Sequence, residues 1–358
     1  MSESESESAS ASLLPGAEEG PPDAEPTSRR RVIRALVICG AVILVVSLAL
    51  GGVVAYFSYS YDHNITRIPK VFALAPGEQR PAKTVSKAEN FILVGSDSRA
   101  PSQTTGTGGD PSSVSPIGQR ADTIMVVHLP ADRESAYLIS IPRDSWVPIP
   151  GYGQDKINAA LAFGGPRLLR QTIEQLTGVR IDHYLEVDFS GFKAMTDAVG
   201  GVDISVPIDS YDSANRKQWH AGVQHMDGTE ALLYVRQRYG LSGGDFDRIK
   251  HQHQFLQVLT SKAARGGMLA NPLALNRLLQ AVTKSISVDS GLSGGALLSL
   301  ARRLRGSAAK AHFYTVPLIG TGQVGPASVV FLDPAQDKRL WAATASDTLG
   351  RYILPPPK

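Results

Sequence analysis

A single cysteine, Cys39, in a chain of 358 residues excludes an intrachain disulfide and any cysteine cage for zinc. Also missing are a Gly-rich phosphate loop ending in Gly-Lys, a Gly-x-Ser-x-Gly elbow, a His-Glu-x-x-His zinc helix and a Gly-x-Gly-x-x-Gly dinucleotide turn. An excess of charge of one sign is lacking as well. With 36 Lys and Arg against 33 Asp and Glu, the net charge of +3 is too slight for a chain that binds by its field, and no nucleic acid is expected as a partner. His128, His183, His251 and His253 form no metal-ligand spacing and read as packing or surface residues.

What is present begins with a marked shift of composition. The first 28 residues are rich in Ser, Glu, Pro and Gly, and residues 1–34 read as a disordered cytoplasmic tail that ends in Arg29, Arg30, Arg31 and Arg34. Residues 35–57 are uncharged and mostly apolar. At about 1.5 Å of rise per residue they are long enough to cross a bilayer core of about 30 Å, whereas the apolar region of a cleaved signal peptide spans about 7 to 15 residues. A transmembrane helix is expected there, with the arginines holding the N-terminus in the cytoplasm and everything after Phe57 outside. Residues 58–89, polar and without sustained periodicity, read as a stalk.

A folded extracytoplasmic domain is expected over 90–335, followed by a C-terminal tail over 336–358. Phe91 to Gly95, Thr123 to Leu129, Tyr137 to Ile141, Ile181 to Val187, Val202 to Val206 and His312 to Val316 are short apolar, β-branched runs that suit strands. Helical periodicity lies between them. Pro166 starts a helix whose Leu169, Ile173 and Leu176 share a face, with Arg170 and Glu174 paired outside and Gly178 as the stop. Asn271-Pro272 opens another, and the helix after Arg248 would bury Ile249, Leu256 and Leu259. The fold class expected is α/β, an α-β-α sandwich with a central mixed sheet. Residues 101–118, rich in Ser, Thr, Gly and Pro, read as a surface insertion.

Charged motifs sit where these strands end. Gly95-Ser-Asp-Ser-Arg99 places Asp97 and Arg99 at the C-terminal end of a buried strand, the end where open α/β sheets bind ligands. Arg120-Ala-Asp-Thr123 opens the next strand, so Arg120 and Asp122 meet the first pair if the strands are antiparallel neighbours. Two adjacent carboxylates suit a hard cation shared with phosphate oxygens, or else two Asp-Arg salt bridges. Arg143 follows another strand through Pro142. In Tyr234-Val-Arg-Gln-Arg238, period-two alternation would put Arg236 and Arg238 on one face of a strand. Arginine's planar fork matches phosphate, so arginines gathered at strand ends suggest a pyrophosphate clamp. Gly243-Gly-Asp-Phe-Asp-Arg248 leads into a helix, with one aspartate, Asp245 or Asp247, as N-cap and the other available as a general base, and with Arg248 beside the clamp. Lys156 and Asn158 are weaker candidates for the same site.

In order, GSDSR, RADT, SIPRDS, KINAALAFGGP, DAVGGVDI, YVRQR and GGDFDR resemble the LytR-CpsA-Psr family of cell-wall ligases over roughly Asn90 to Ala264. The resemblance implies a polyprenyl pyrophosphate lipid in an apolar tunnel, Mg²⁺, with Mn²⁺ as its substitute, held by Asp97 and Asp122, and pyrophosphate held by Arg120, Arg143, Arg236 and Arg238, with Arg99, Arg248 and Lys156 beside them. Asp245 resembles the family's proposed base. The implied reaction moves a glycopolymer from its polyprenyl pyrophosphate carrier to the C6 hydroxyl of a peptidoglycan N-acetylmuramic acid at the membrane surface. Hydrolysis of the lipid pyrophosphate and non-catalytic lipid binding are the alternatives. The sequence departs from the family pattern after Arg248, where Ile-Lys-His-Gln-His replaces a second arginine followed by glutamines.

Overall fold

The computed structural model describes residues 63–97, 120–265, 272–293 and 310–352, together with Ser60 and Ala296. The apolar run 35–57, the insertion 101–118 and Arg99 lie outside them. Among the described residues no helix is long and apolar enough to cross a membrane.

Fifteen strands among the described residues are numbered in chain order. The first seven are β1 (Thr66–Ile68), β2 (Glu89–Asp97), β3 (Arg120–Leu129), β4 (Ala136–Ser140), β5 (Trp146–Ile149), β6 (Gly153–Lys156) and β7 (His183–Asp188). The next four are β8 (Val202–Val206), β9 (Ser210–Asp212), β10 (Lys217–Trp219) and β11 (Gly222–Met226). The last four are β12 (Ile286–Asp289), β13 (Ala311–Thr315), β14 (Leu318–Val324) and β15 (Ala327–Leu332). Among the described residues six α-helices accompany them: α1 (Ile157–Thr177), α2 (Phe189–Ala198), α3 (Gly228–Arg236), α4 (Asp245–Arg265), α5 (Pro272–Ser285) and α6 (Pro334–Ala345).

Seven strands form the central sheet in the order β1-β12-β7-β2-β3-β4-β13. The sheet is mixed, since β2 runs parallel to β7 and antiparallel to β3, while β13 runs parallel to β4. The apolar runs were expected to be covered on both faces, and they are. Ile92, Val94, Ile124, Val126 and Ile139 pack against α1 and α6 on one face. Phe91, Met125 and Leu138 pack on the other against Met195 of α2, Leu256 of α4 and Val282 of α5. Layers of helix, sheet and helix result, and they bring the ends of β2, β4 and β7 and the start of β3 to one edge of the sheet. The remaining strands pair as ribbons, β5 with β6, β8 with β11, β9 with β10 and β14 with β15. Val202 to Val206, expected as a strand, is therefore one, outside the central sheet.

Helix α1 is bent where its sequence requires it. Gly164 (φ −140°) and Gly165 (φ 66°) leave helical geometry, Pro166 restarts the helix, and Gly178 (φ 66°) closes it with its N–H on the Glu174 carbonyl. A side chain at Gly164 would bring its Cβ within 2.6 Å of Leu168 Cβ, so the bend also needs glycine for space.

Three expectations are corrected. Arg170 and Glu174 do pair, but inside: Arg170 is fully buried and also donates to Glu78, while Arg80 Nη2 lies 2.7 Å from Glu174 Oε1. Their helical spacing was legible, but the partners Glu78 and Arg80, which let the charges be buried, come from a distant segment. That segment belongs to the expected stalk, which contributes β1 to the sheet and Val71 to the core. Similarly, the expected C-terminal tail begins within α6, whose Leu340 and Trp341 are buried.

Candidate functional site: an apolar cavity with an arginine mouth

A cavity of about 840 Å³ lies on the face of the sheet covered by α2, α4 and α5. Its body is apolar, lined by residues such as Leu185 and Val187 of β7, Phe192 and Met195 of α2, and Leu256 and Leu259 of α4. Arg143, Arg236, Arg238, Arg248 and Asp122 also line it. Such a space accepts a long apolar chain with an anionic end.

Local sequence puts each charge there. In the β2–β3 ladder Gly95 faces Thr123 and Ser96 faces Ala121, so Asp122 is the extra residue of a β-bulge. A bulge re-aims a side chain out of the alternation, and Asp122 lines the cavity. The same ladder pairs Asp97 with Arg120 across the strand ends, confirming that these strands are antiparallel neighbours. Arg143, beyond the end of β4, donates Nη1 to Asp122 Oδ1. Its Nε lies 3.6 Å from Asp144 Oδ2. Lys156 Nζ sits 2.9 Å from Asp144 Oδ1, so Lys156 reaches the site through Asp144 instead of lining the cavity.

The expected strand through Arg236 and Arg238 is a helix end. Asp227 caps α3 through the N–H groups of Thr229 and Glu230, and the helix runs to Arg236, where cationic side chains complement the helix dipole. Gln237 then turns extended (φ −57°, ψ 133°) and is buried, donating Nε2 to Ser210 Oγ at 3.1 Å. Alternation holds only across this exit, and it suffices to give Arg236 and Arg238 to the cavity while Gln237 anchors the chain. Arg236 Cζ rests 4.1 Å from the centre of the Phe189 ring.

At the start of α4 the two aspartates separate in role. Asp247 accepts from Gly243 N–H at 2.8 Å and pairs with Lys250, and the lysine contact, chiefly, holds its carboxyl below the usual range against partial desolvation. It closes the turn. Asp245 lies 2.9 Å from Arg248 Nη2 and 3.3 Å from Arg238 Nε. Burial pushes the Arg248 guanidinium down to about 10, a shift that Arg143 and Arg238 reinforce and that Asp245 and Asp122 oppose. Arg248 Nε is buried with no hydrogen-bond partner among the described residues. In the departing stretch after Arg248, Lys250 faces solvent, whereas Gln252 lines the cavity.

The structure thus joins Asp122, Arg143, Arg236, Arg238, Asp245 and Arg248 at one edge of the sheet and sets Asp97 opposite Arg120 there. No group of three His, Cys, Asp or Glu able to hold a metal ion occurs among the described residues. Phe189, Asp144 and the cavity's apolar lining were not singled out from sequence. Their nearest signal is the alternation of β7, where Tyr184 and Glu186 are buried while Leu185 and Val187 open into the cavity.

Known proteins are similar to this chain in sequence and in fold. Over 260 residues the chain is 40% identical to the probable cell wall biosynthesis protein LcpB of Corynebacterium glutamicum, covering 71% of this chain and only 60% of that one. It is 32% identical over 251 residues to the polyisoprenyl-teichoic acid–peptidoglycan teichoic acid transferase TagU of Bacillus cereus, covering 69% of this chain and 76% of the relative. The crystal structure of B. subtilis TagV superposes with a TM-score of 0.58 at 25% identity, over 76% of this chain and all of that one. Residues 63–345, most of the described fold, match the LytR_cpsA_psr family, and the chain belongs to that family.

Proposed function

We propose that this protein transfers a glycopolymer from a polyprenyl pyrophosphate carrier to peptidoglycan, forming a phosphodiester. The observation that carries this reading is the continuity of one cavity from an apolar body to a mouth of four arginines, Arg143, Arg236, Arg238 and Arg248. Apolar lining alone would suit any lipid, and arginines alone any anion. Together they select a lipid whose headgroup is a phosphate or pyrophosphate. The name of TagU, a teichoic acid transferase acting on peptidoglycan, supplies the direction of transfer.

In this reading the C6 hydroxyl of N-acetylmuramic acid attacks the sugar-linked phosphorus. The bond from that phosphorus to the bridging oxygen breaks, and polyprenyl phosphate leaves with the electron pair. Arg143, Arg236, Arg238 and Arg248 offset charge on the departing phosphate, the kind of stabilisation that dominates phosphoryl transfer. Asp245, fixed between Arg238 and Arg248, takes the hydroxyl proton. The chemistry of the mouth fits Mg²⁺: Asp122, a hard oxygen donor, is bulged into the cavity, and β2 ends at Asp97 on the same edge of the sheet. Two carboxylates leave coordination positions for phosphate oxygens, and Mg²⁺ held there would supply further positive charge to the pyrophosphate. An anchor at residues 35–57 would keep the cavity beside a carrier that stays in the bilayer.

The test is to incubate the full-length protein with a polyprenyl pyrophosphate-linked glycan, a peptidoglycan oligomer and Mg²⁺, and to follow products by mass. A phosphodiester-linked glycan–peptidoglycan product, lost in Arg236→Ala, is expected. Release of lipid phosphate without that product would replace transfer by hydrolysis, and no turnover with tight lipid binding would replace it by a receptor role.

A further inference from the structure

A second cavity, of about 800 Å³, lies on the opposite side of the fold, between the start of β5, the end of α1, the β14–β15 ribbon and α6. Trp146, Gln154, Ile319, Phe331, Asp337 and Trp341 carry its chemistry. Nothing in the transfer mechanism uses it.

Two features separate this cleft from an ordinary apolar depression. Trp341 is 3% exposed and Asp337 8% exposed, yet Trp341 Nε1 and Asp337 Oδ1 have no hydrogen-bond partner among the described residues. They stand four residues apart on α6, hence on one face of the helix, and both line the cleft. Buried polar atoms are almost always satisfied, because one left without a partner has given up its hydration for nothing in return. A donor and an acceptor about one helical turn apart on the same face therefore point to a ligand that offers both. Burial, with Asp333 adding repulsion, pushes the Asp337 carboxyl up to about 7.

The rest of the lining narrows the ligand's class. Trp146 and Phe331 present ring surface, Ile319 is 72% exposed, and Gln154 adds a side-chain amide. A purely apolar ligand would leave the indole N–H and the carboxyl unsatisfied, and a phosphate, although Lys338 also lines the cleft, would meet the buried Asp337 carboxyl and make no use of the Trp146 and Phe331 rings. A pyranose carries C–H faces for aromatic rings and hydroxyls that both donate and accept. We propose that this cleft is a saccharide-binding site, distinct from the arginine mouth, that holds a pyranose unit against Trp146 and Phe331 with its hydroxyls on Trp341 Nε1 and Asp337.

Its place in the chain connects it to the first site. Arg143 and Trp146 are three residues apart, so their Cα atoms are separated by at most about 11 Å. Between them, the Asp144 carbonyl accepts from Val330 N–H at 2.9 Å, which ties this segment to β15. A glycan seated in the cleft thus lies beside the segment that supplies Arg143. Two glycans could supply the sugar, the N-acetylated peptidoglycan strand or the polymer being carried, and binding measurements separate them.

Two of the three tryptophans, Trp146 and Trp341, line the cleft, so intrinsic fluorescence of the full-length protein reads occupancy. The probes are chitotetraose, a peptide-free peptidoglycan glycan strand, a neutral galactan oligomer and, as control, a peptidoglycan stem peptide. Saturable binding of a saccharide is expected, weakened about three- to tenfold by Trp341→Phe, which keeps the ring but removes the N–H, and similarly by Asp337→Asn. Preference for the acetylated probes assigns the acceptor strand, and preference for the galactan assigns the carried polymer. Absence of saturable saccharide binding, affinity unchanged from the parent protein in both variants, or equal binding of the stem peptide would overturn the proposal. Should either variant lose its thermal transition, Trp146→Ala, at a partly exposed position, provides the same comparison. No lipid substrate is present in the measurement, so its failure leaves the transfer reading standing, and failure of transfer leaves this one standing.

Discussion

Arg248 holds its Nη2 2.9 Å from Oδ1 of Asp245 at the first turn of α4, and the arginine is almost fully buried. Breaking a buried pair strands the remaining charge, at about 3 kcal/mol or more. Arg248→Ala is therefore expected to lower unfolding free energy by about 3 kcal/mol and transfer by at least about 100-fold. Arg248→Lys keeps the charge without the planar fork, so it should recover much of the stability and little of the rate. Denaturant unfolding beside single-turnover kinetics checks both. Equal recovery of the two by lysine would show that Arg248 acts as a charge and not as a fork.

Acid should weaken the fold through His253. Burial lowers its pKa to about 4, and its Nε2 lies 2.7 Å from Ser140 Oγ. Between pH 6.5 and about 4 the unfolded chain takes up a proton that the folded one refuses, so stability falls as pH drops through that window. The contribution at pH 4.5 is about 2 kcal/mol. His128 and His251, lowered mainly by burial, act in the same direction. His253→Gln, which retains a hydrogen-bonding amide, should therefore show a smaller loss of urea midpoint between pH 7 and pH 4.5 than the parent. An identical loss in both would remove His253 from the acid response.

The cluster of Glu78, Arg80, Arg170 and Glu174 joins the segment after β1 to α1. Arg170 also donates Nε to the Val71 carbonyl at 3.1 Å, so one side chain serves two carboxylates and a backbone oxygen. Arg170→Ala should destabilise the protein by about 3 to 5 kcal/mol and speed amide exchange over residues 71–80, with the rate of transfer by the folded fraction unchanged. Exchange confined to α1 would show that the network does not secure the preceding segment.

Most of the central sheet was readable because strands covered on both faces are written as apolar runs. Phe91 to Gly95, Thr123 to Leu129 and Tyr137 to Ile141 all fall within observed strands or at their ends. β1 and β12, at three and four residues, carry too little periodicity to be read. Tyr234 to Arg238 was misread because alternation was weighed without the capping Asp227, which starts a helix seven residues earlier. Arg143 was legible from its place past a strand end, and Arg236, Arg238 and Arg248 from their clustering in short charged motifs, although these three stand at the end of α3 and the start of α4. The apolar residues that line the cavity were not, because a side chain that lines a void and one that fills a core have the same composition. Phe192 and Met195 become part of a site only once the layers leave space between them.

That space gives the reading of lipid binding its most direct test. Leu185 and Val187 lie on β7 but open into the cavity, so a larger side chain there displaces ligand instead of neighbouring protein. In a filled core such a change forces strain of about 1 to 3 kcal/mol. Val187→Trp is expected instead to leave the thermal midpoint nearly unchanged. The lost room should remove contact with about two methylenes of the carrier, or about 1.5 kcal/mol, which corresponds to roughly a tenfold weaker lipid affinity. The penalty should grow with carrier length, because a short polyprenyl chain need not reach the obstructed part, and kcat should change less than KM. Equal penalties for short and long carriers would place the chain outside this cavity and leave the arginines to bind the headgroup alone.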